Sequence, residues 1–267
     1  MKIIFETIKL NFKIHFQYRA SYFFQFFLDS ILLLFKIQLF KMIYLNNQSN
    51  IILGYSFSQM IWYFAGINFI YYLIWNDTDK NISNNVISGD MTTQLSKPIS
   101  LIQSEFSKEI ASKVYGILFD FLPSLIVYSF FVYPDFLTVD AFFRFIMVSM
   151  FSFVMYFLFN FLLGLCSFII QNNESLQILK VMIIYIAAGA YFPIEFYPEI
   201  FQRIIRFLPF QYLFYIPIQF LLNKPETRGF NAFILTILIQ IFWIILFYLL
   251  YRIFWGKAVK KFCANGG

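Results

Sequence analysis

Apolar and polar positions divide the chain into long apolar runs separated by short polar segments. A membrane-spanning helix needs about 20 apolar residues to cross roughly 30 Å of hydrocarbon. Six runs are predicted to be spans: residues 22–45, 56–75, 114–133, 145–170, 176–192 and 230–255. The pattern therefore predicts an all-α integral membrane protein, with one transmembrane domain covering residues 1–267.

A seventh apolar run, residues 207–222, is interrupted by Pro209 and Pro217. Lys and Arg concentrate in the cytoplasmic loops of membrane proteins, and this bias tests whether the run crosses the membrane. With six spans and a cytoplasmic N-terminus, 13 Lys and Arg lie inside and 5 outside, whereas a seventh span changes the division to 11 and 7. Six spans with both termini cytoplasmic fit better. Residues 207–222 are then predicted to form a re-entrant or interfacial element on the outer side.

The composition supports a membrane protein and excludes a soluble enzyme or a nucleic-acid-binding protein. Hydrophobic residues make up 60% of the chain and charged residues 13%, whereas soluble domains carry about 25% charged residues. We attribute the net charge of +6 to the basic residues of the predicted cytoplasmic loops, so no nucleic-acid partner is expected. The two cysteines, Cys166 and Cys263, match neither a disulfide framework nor a metal motif.

Residues 1–20 are predicted to form an amphipathic helix that lies in the membrane interface. Its polar residues fall on one stripe of a 3.6-residue helix: Lys2, Glu6, Lys9, Lys13 and Gln17. Residues 8–19 also alternate apolar and polar, which is typical of a strand. A lone strand leaves its edges unpaired at a membrane, so the helix is favoured.

Residues 76–112 form the longest predicted cytoplasmic loop. Gly89 offers a break in the chain, Asp90 or Thr92 can cap a short helix, and Pro98 can end it. A short helix on such a loop is suited to docking a soluble partner. A solvated connector explains the same residues equally well.

Between the fifth and sixth predicted spans, residues 193–222 are predicted to form an outer re-entrant hairpin of two short helices. Apolar residues share one face of the first helix and charged residues another: Ile200, Ile204 and Phe207 against Glu199, Arg203 and Arg206. The hairpin is expected to cap the outer leaflet.

Polar side chains inside the predicted spans are candidate pathway residues, because polar groups in a membrane normally face protein or water. The candidates are Gln25, Asp29 and Lys36 on one face of the first span, Asp120 midway along the third, and the weaker cases Asn68 and Asn160. Each can instead form a structural hydrogen bond or ion pair between helices. The sequence leaves both roles open.

Catalytic and nucleotide-binding motifs are missing from the sequence. The pair Gly256-Lys257 lacks the upstream glycine of an ATP-binding G-x-x-x-x-G-K-[ST] loop. There is one histidine, no Cys/His cluster for zinc and no G-x-S-x-G nucleophile motif. These absences favour a transport or scaffold subunit over an enzyme, and no metal or cofactor is expected in this chain.

Four short motifs, in this order and spacing, resemble a known family. They are Gly89 to Pro98, which follows the pattern GxLxxxLxxP with Met91 in place of the usual Leu; Phe192-Pro193-Ile194; Leu208-Pro209-Phe210-Gln211-Tyr212 with Tyr215 and Pro217; and Gly266-Gly267. Together with the six spans they resemble type-2 ABC exporter permeases. The closest subgroup comprises small six-span permeases whose genes usually occur in pairs beside an ATPase gene.

The resemblance implies roles for particular residues. A coupling helix that fits a groove in the ATPase would comprise Val86, Ile87, Ser88, Gly89, Asp90, Met91, Gln94, Leu95, Lys97 and Pro98. An outer gate would comprise Phe192, Pro193, Glu195, Pro209 and Phe210. Residues 1–20 would be the elbow helix, which also touches the ATPase.

The resemblance also implies partners and a location. Two ABC ATPase subunits would bind ATP and Mg, and a second permease, identical or paralogous, would complete the pathway. The assembly would lie in the bacterial cytoplasmic membrane. The Phe-rich spans favour export of an amphipathic drug, peptide or lipid-like molecule over a small ion.

Two functions of other classes remain as alternatives. A membrane-embedded transferase for lipid-linked substrates would need catalytic acids, such as Asp120 or Glu195, beside a polar cavity. A proton-coupled secondary transporter would use Asp29 and Asp120, and many such transporters contain inverted repeats, which this sequence does not show convincingly.

Overall fold

A computed structural model describes residues 6, 9–10, 13, 16–17, 19–47, 50–170 and 173–264, and this part of the chain is mostly helical. Most of the predicted interfacial helix of residues 1–20 lies outside the described residues. The described positions before Arg19 are helical and exposed to solvent or lipid: Glu6, Lys9, Leu10, Lys13, Phe16 and Gln17.

The first two predicted spans correspond to helices α1 (Arg19–Asn46) and α2 (Phe57–Ile74). Two antiparallel two-residue strands connect them, β1 (Ile51–Ile52) and β2 (Tyr55–Ser56), with Ile52 opposite Tyr55. The turn between the strands places Leu53 and Gly54 at φ 48° and 82°. A capping box between Ser56 and Gln59 then starts α2 by satisfying two backbone N–H groups.

The predicted cytoplasmic loop 76–112 is largely helical in the structure. It contains α3 (Thr78–Ser88), α4 (Met91–Leu95) and most of α5 (Leu101–Gly116). Helix α5 continues through a π-helical turn, Ile117–Phe121, into α6 (Leu122–Phe131), so the helix begins well before the predicted span boundary at residue 114. Pro123 lies just after the π-turn, where the irregular backbone accommodates a residue without an N–H group.

The rest of the chain contains two long helices, α7 (Val139–Ile170) and α11 (Phe230–Ala264), and the shorter α8 (Glu174–Ala187). Between α8 and α11 lie short helical pieces. They are a 3₁₀ turn Ile194–Phe196, α9 (Glu199–Phe207), a 3₁₀ turn Pro209–Tyr212, α10 (Tyr215–Leu221) and a 3₁₀ turn Pro225–Thr227.

Three helical segments among the described residues are long and apolar enough to cross a membrane: Leu101–Phe131, Val139–Ile170 and Phe230–Lys261. A fourth candidate is the bent pair Glu199–Phe207 and Pro209–Leu221, which turns by 77°. Helices α1, α2 and α8 occupy the other three predicted spans without meeting this criterion. The structure therefore supports an all-α membrane protein with three or four such spans, and the number six stays a prediction.

Helix α7 is the centre of the packing, because α3, α10, α11 and α2 all contact it. Its buried face includes Phe145, Tyr156 and Phe161. Helix α11 contacts α7 along one side, yet only 11% of its apolar window is buried. An apolar helix with so little buried surface is typical of a lipid-facing position.

Candidate coupling loop and two polar clusters

The tip of the predicted coupling segment is a tight turn between α3 and α4. Gly89 ends α3 at φ 81°, a left-handed conformation that favours glycine. The Thr92 hydroxyl donates to the Gly89 carbonyl at 2.9 Å, and the Ser88 hydroxyl donates to the Asp90 carboxylate at 2.8 Å. These local bonds hold the turn in one shape.

Along this segment, an exposed tip is followed by a helix whose first residue is buried. Ile87, Ser88, Gly89 and Asp90 are exposed, and the apolar side chain of Ile87 is 61% exposed. Met91 is fully buried and fixes the start of α4. The remaining predicted coupling residues are half-buried or exposed: Val86, Gln94 and Leu95 half-buried, Lys97 and Pro98 exposed. The tip thus presents one apolar side chain within a polar rim.

Close backbone packing joins α3 to α7. A Cβ atom built on Gly164 of α7 would lie 2.8 Å from Ile82 Cδ1 and 3.2 Å from the Asp79 Cα atom. A side chain at position 164 would therefore push the two helices apart. The glycine allows the helix that carries the loop tip to pack directly on a long candidate span.

A buried ion pair joins α3 to α8. The Lys180 amine donates to the two Asp79 carboxylate oxygens at 2.9 and 2.7 Å, and the side chains are 4% and 0% exposed. The amine also lies 5.7 Å from the centre of the Trp75 ring. Charged groups this deeply buried require such pairing, because their desolvation is costly.

Further polar contacts surround this pair and define the loop-side cluster. The Asn160 amide of α7 donates at 2.9 Å to both the Asn76 carbonyl and its side-chain oxygen, and Thr78 donates to Glu109 of α5 at 3.4 Å. Lys113 of α5 donates to the Trp75 carbonyl. The loop-side cluster consists of Asn76, Thr78, Asp79, Glu109, Lys113, Asn160 and Lys180.

The loop-side cluster was only partly recognised in the sequence. Lys113 and Lys180 were counted there for topology alone, and Asn160 was a weak pathway candidate. Asp79 and Glu109 were not predicted as site residues, although each is an acidic residue close to an apolar run. Sequence spacing does not reveal that Asp79 and Lys180, 101 residues apart, are partners.

A second group of polar side chains, the hairpin-side cluster, lies near the start of α2. Tyr55 donates to the Glu195 carboxylate at 3.1 Å, and Tyr215 donates to the same carboxylate at 2.5 Å. Gln219 donates to the Tyr55 hydroxyl at 2.8 Å, and the Lys224 amine lies 3.7 Å from the centre of the Tyr55 ring. Tyr55 therefore joins the two ends of the bent pair α9–α10.

Burial and nearby charges shift the pKa values of two members of the hairpin-side cluster, Tyr55 and Lys224. Burial, followed by the nearby charge of Glu195, raises the pKa of the Tyr55 hydroxyl well above its ordinary value. Tyr55 therefore remains a donor to the carboxylate. Burial lowers the pKa of the Lys224 amine, against the opposing attraction of Glu195 and Glu226. Lys224 also donates to Gln59 at 3.2 Å and to the Gly54 carbonyl.

The other predicted gate residues differ in exposure. Phe192 is 48% exposed, whereas Pro193 and Pro209 are buried, and Phe210 packs on Phe159 with ring centres 5.4 Å apart. Only Glu195 of the predicted gate set belongs to the hairpin-side cluster.

The predicted pathway residues lie in different surroundings. The side chains of Gln25 and Asp29 are outside the described part of the structure. The Lys36 amine lies 4.8 Å from the centre of the Phe64 ring, and Asn68 donates to the Tyr128 hydroxyl at 3.5 Å. Asp120 is buried within the π-turn. Among the described residues, no three His, Cys, Asp or Glu side chains are arranged to hold a metal ion.

Comparison with known protein families identifies the chain. A family model described as "ABC-2 family transporter protein" matches residues 31–266. The chain belongs to the ABC-2 transporter family. This assignment supports a multi-pass membrane permease of an ABC transporter, associated with an ABC ATPase. Neither the curated proteins nor the solved structures that were compared contain a significant match.

Proposed function

We propose that this ABC-2 protein is the permease subunit of an ATP-driven exporter. Two permeases, identical or paralogous, form the pathway, and two separate ATPase subunits bind ATP and Mg. The assembly lies in a bacterial cytoplasmic membrane, with both permease termini cytoplasmic. The substrate is an amphipathic drug, peptide or lipid-like molecule.

The observation that carries this proposal is the exposed loop tip with its buried anchors. Ile87 and the polar residues around it form a small protruding surface that is suited to a groove on a soluble partner. Behind the tip, the Asp79–Lys180 pair and the Gly164 contact fix α3 to α8 and α7. A force on the tip is therefore transmitted through α3 to two predicted spans, α7 and α8.

Coupling in this arrangement follows from differential binding. ATP closes the two ATPase subunits, and the attached tips move with them. The permease conformation that fits the closed ATPase pair gains population, and the affinity of the ATPase pair for ATP changes reciprocally. The loop-side cluster acts as the rigid joint for this movement, with no catalytic role in this chain.

The contacts of the bent pair α9–α10 favour an outer re-entrant gate and argue against a broken span that crosses the membrane. Glu195, which precedes α9, and Lys224, which follows α10, both contact Tyr55. A broken span would place these two positions on opposite sides of roughly 30 Å of hydrocarbon. Helix α9 also exposes its apolar face, including Ile200 and Phe207, as an element lying at a leaflet surface does.

The proposal is tested by co-purifying the ATPase with tip variants. Ile87→Asp is expected to abolish co-purification, because a charge replaces the apolar contact of the tip. Ile51→Asp is the matched control, since Ile51 is also 61% exposed but lies on β1, near the hairpin-side cluster. Equal ATPase recovery with both variants contradicts the assignment of the tip as the coupling surface.

A transport assay tests the same segment by function. Replacing the charge of Asp90, or shortening residues 86–97, is expected to uncouple ATP hydrolysis from transport without unfolding the spans. Wild-type transport by either variant contradicts the coupling role. Transport that is independent of the ATPase and stops when the proton gradient is removed contradicts the exporter itself.

A further inference from the structure

A cavity of about 610 Å³ lies where the two long helices α7 and α11 begin. Both helices are long and apolar enough to cross a membrane. Because both start at the cavity, it lies at the level of a membrane boundary, where lipid headgroups are found. The polar residues that line it are Thr138, Asp140, Arg144, Asn223 and Arg228.

Two links between neighbouring segments hold the cavity in shape. Arg144 of α7 donates to the Thr227 carbonyl at 2.5 Å and to the Asp140 carboxylate, and its side chain is 11% exposed. The Asn223 side chain donates to the Phe136 carbonyl at 3.2 Å. These bonds tie the segment before α11 both to α7 and to the loop before α7. The cavity is therefore a formed part of the fold.

Arg228 supplies a positive charge that has no acidic partner. Its Nε atom donates to the Asn223 carbonyl at 2.8 Å, which orients the guanidinium group. Its two terminal nitrogens have no partner among the residues that the structure describes. Arg144, by contrast, is paired with Asp140. The cavity thus keeps one uncompensated positive charge, and a guanidinium group binds phosphate and carboxylate oxygens strongly.

The start of α11 adds to this positive charge. The Gly229 carbonyl accepts the first hydrogen bond of the helix, from the Phe233 N–H at 3.2 Å, but Gly229 has no side chain that could cap the first N–H groups. The first turn of α11 also contains no acidic residue. Free N–H groups and the helix dipole favour an anion at such an end. Arg228 and the helix end therefore favour the same kind of ligand.

Aromatic side chains form the rest of the cavity wall. Phe143, Phe230 and Phe233 line it, and Phe143 and Phe230 are 60% and 75% exposed. All three belong to the candidate spans, whereas Arg228 and Gly229 precede one of them. A phospholipid has the same order of groups, with its phosphate at the boundary and its acyl chains in the hydrocarbon. The charge and the exposed rings together favour a lipid over a small soluble anion.

We propose that this cavity binds the phosphate of a membrane phospholipid. Arg228 and the first N–H groups of α11 hold the phosphate, and the acyl chains pass Phe143 and Phe230 into the bilayer. Basic pockets between membrane helices are known to bind lipid headgroups. The site lies within one chain, so it does not rest on the proposed exporter function or on a second permease.

Photo-crosslinking in mixed detergent–lipid micelles tests the site. The purified full-length protein is incubated with phosphatidylglycerol that carries a diazirine in its headgroup, and labelled peptides are mapped by mass spectrometry. Labelling is expected to concentrate on residues 138–144 and 223–233. Labelling there that is no stronger than the labelling of α9, which also carries exposed arginines, overturns the proposal.

Competition distinguishes a lipid from a free ion. An excess of unlabelled phosphatidylglycerol is expected to remove the labelling of the cavity, and the same concentration of inorganic phosphate is expected to leave most of it. Removal by inorganic phosphate, with no effect of the unlabelled lipid, would make the cavity a site for the free ion and overturn the lipid assignment.

Two arginine variants test the charge. Arg228→Gln is expected to reduce labelling of the cavity by about tenfold, because it removes a charged hydrogen-bond donor. Arg203→Gln is the matched control, since Arg203 is also exposed but pairs with Glu199 on α9, and it is expected to leave the labelling unchanged. Equal labelling of the cavity in both variants overturns the role of Arg228.

Gly229→Asp tests the helix end without removing a contact. A Cβ atom at position 229 has open space around it, and Asp is favoured at the start of a helix, so the melting temperature is expected to stay normal. The new carboxylate occupies the first N–H groups and repels a phosphate, so labelling of the cavity is expected to fall to the background level. Wild-type labelling in Gly229→Asp overturns the phosphate site.

Discussion

Asp79 and Lys180 show what one buried ion pair does for the junction between loop and spans. Asp79→Asn leaves the Lys180 charge buried without its carboxylate, and losing one partner of such a pair costs about 3–5 kcal/mol. We expect a markedly lower melting temperature in detergent for Asp79→Asn. The double variant Asp79→Leu/Lys180→Met is expected to recover most of the loss, because it removes both charges.

Glu199→Gln is the matched control for this acid-to-amide change. Glu199 pairs with Arg203 at 3.3 Å, and both side chains are largely exposed. Such surface pairs contribute little to stability, so the melting temperature is expected to stay close to that of the wild type. Equal losses in Asp79→Asn and Glu199→Gln would contradict the anchoring role of the buried pair.

Two glycines with nearly the same backbone conformation allow the stability cost of backbone strain to be distinguished from the cost of steric crowding. Gly89 and Gly189 have φ of 81° and 75°. A Cβ at Gly89 meets no described atom within 4 Å, whereas a Cβ at Gly189 would lie 2.9 Å from the Tyr63 hydroxyl and 3.1 Å from Tyr215 Cβ. Gly89→Ala is expected to cost about 1–2 kcal/mol from backbone strain alone.

Gly189→Ala is expected to cost more than Gly89→Ala, because crowding adds to the strain. It also disturbs the hydrogen bond of 2.7 Å that the Tyr63 hydroxyl donates to the Gly189 carbonyl. Thermal melts of both variants under the same conditions measure the difference. A smaller loss of stability for Gly189→Ala than for Gly89→Ala would show that α8 and α10 can move apart at this point.

At the scale of elements, the bent pair α9–α10 is tested by side-specific labelling. In a protein with its native cysteines replaced, single cysteines at Glu199 and Glu226 are expected to react with a membrane-impermeant reagent from the same side. A cysteine at the exposed Asn84 of α3 is expected to react from the opposite side. Labelling of positions 199 and 226 from opposite sides would make the pair a broken span.

The long apolar helices were the elements that the sequence predicted best. The apolar runs at 56–75 and 145–170 correspond to α2 and α7, because hydrophobicity over 20 residues is a local property. The helical character of residues 76–112 was largely missed. Helix α3 is polar in composition, and it is stabilised by Ile82 and Asp79 packing on distant α7 and α8.

At the scale of the whole molecule, the loop-side and hairpin-side clusters lie at opposite ends of α2. Its 18 residues separate them by about 27 Å at 1.5 Å per residue. This helix therefore connects the proposed coupling joint with the proposed gate, and a tilt of α2 moves both. Such a linkage suits a protein that alternates between two conformations.

The proposed assembly is tested by its stoichiometry. Native mass spectrometry of the complex purified with its ATPase is expected to show two membrane chains and two ATPase chains. A differently tagged second copy that co-purifies identifies a homodimer, and a paralogue in its place identifies a heterodimer. A complex with a single membrane chain contradicts the proposed pathway.

The sequence by itself determined that this chain is an all-α membrane protein. Composition and the length of apolar runs can be read without knowing which distant residues are in contact. Its motifs also led to the ABC-2 family. The tertiary structure alone decided which polar residues are partners: Lys180 with Asp79 across 101 residues, and Glu195 with Tyr55 across 140. Such pairs form because burial forces each polar group to find a partner wherever the packed helices place one.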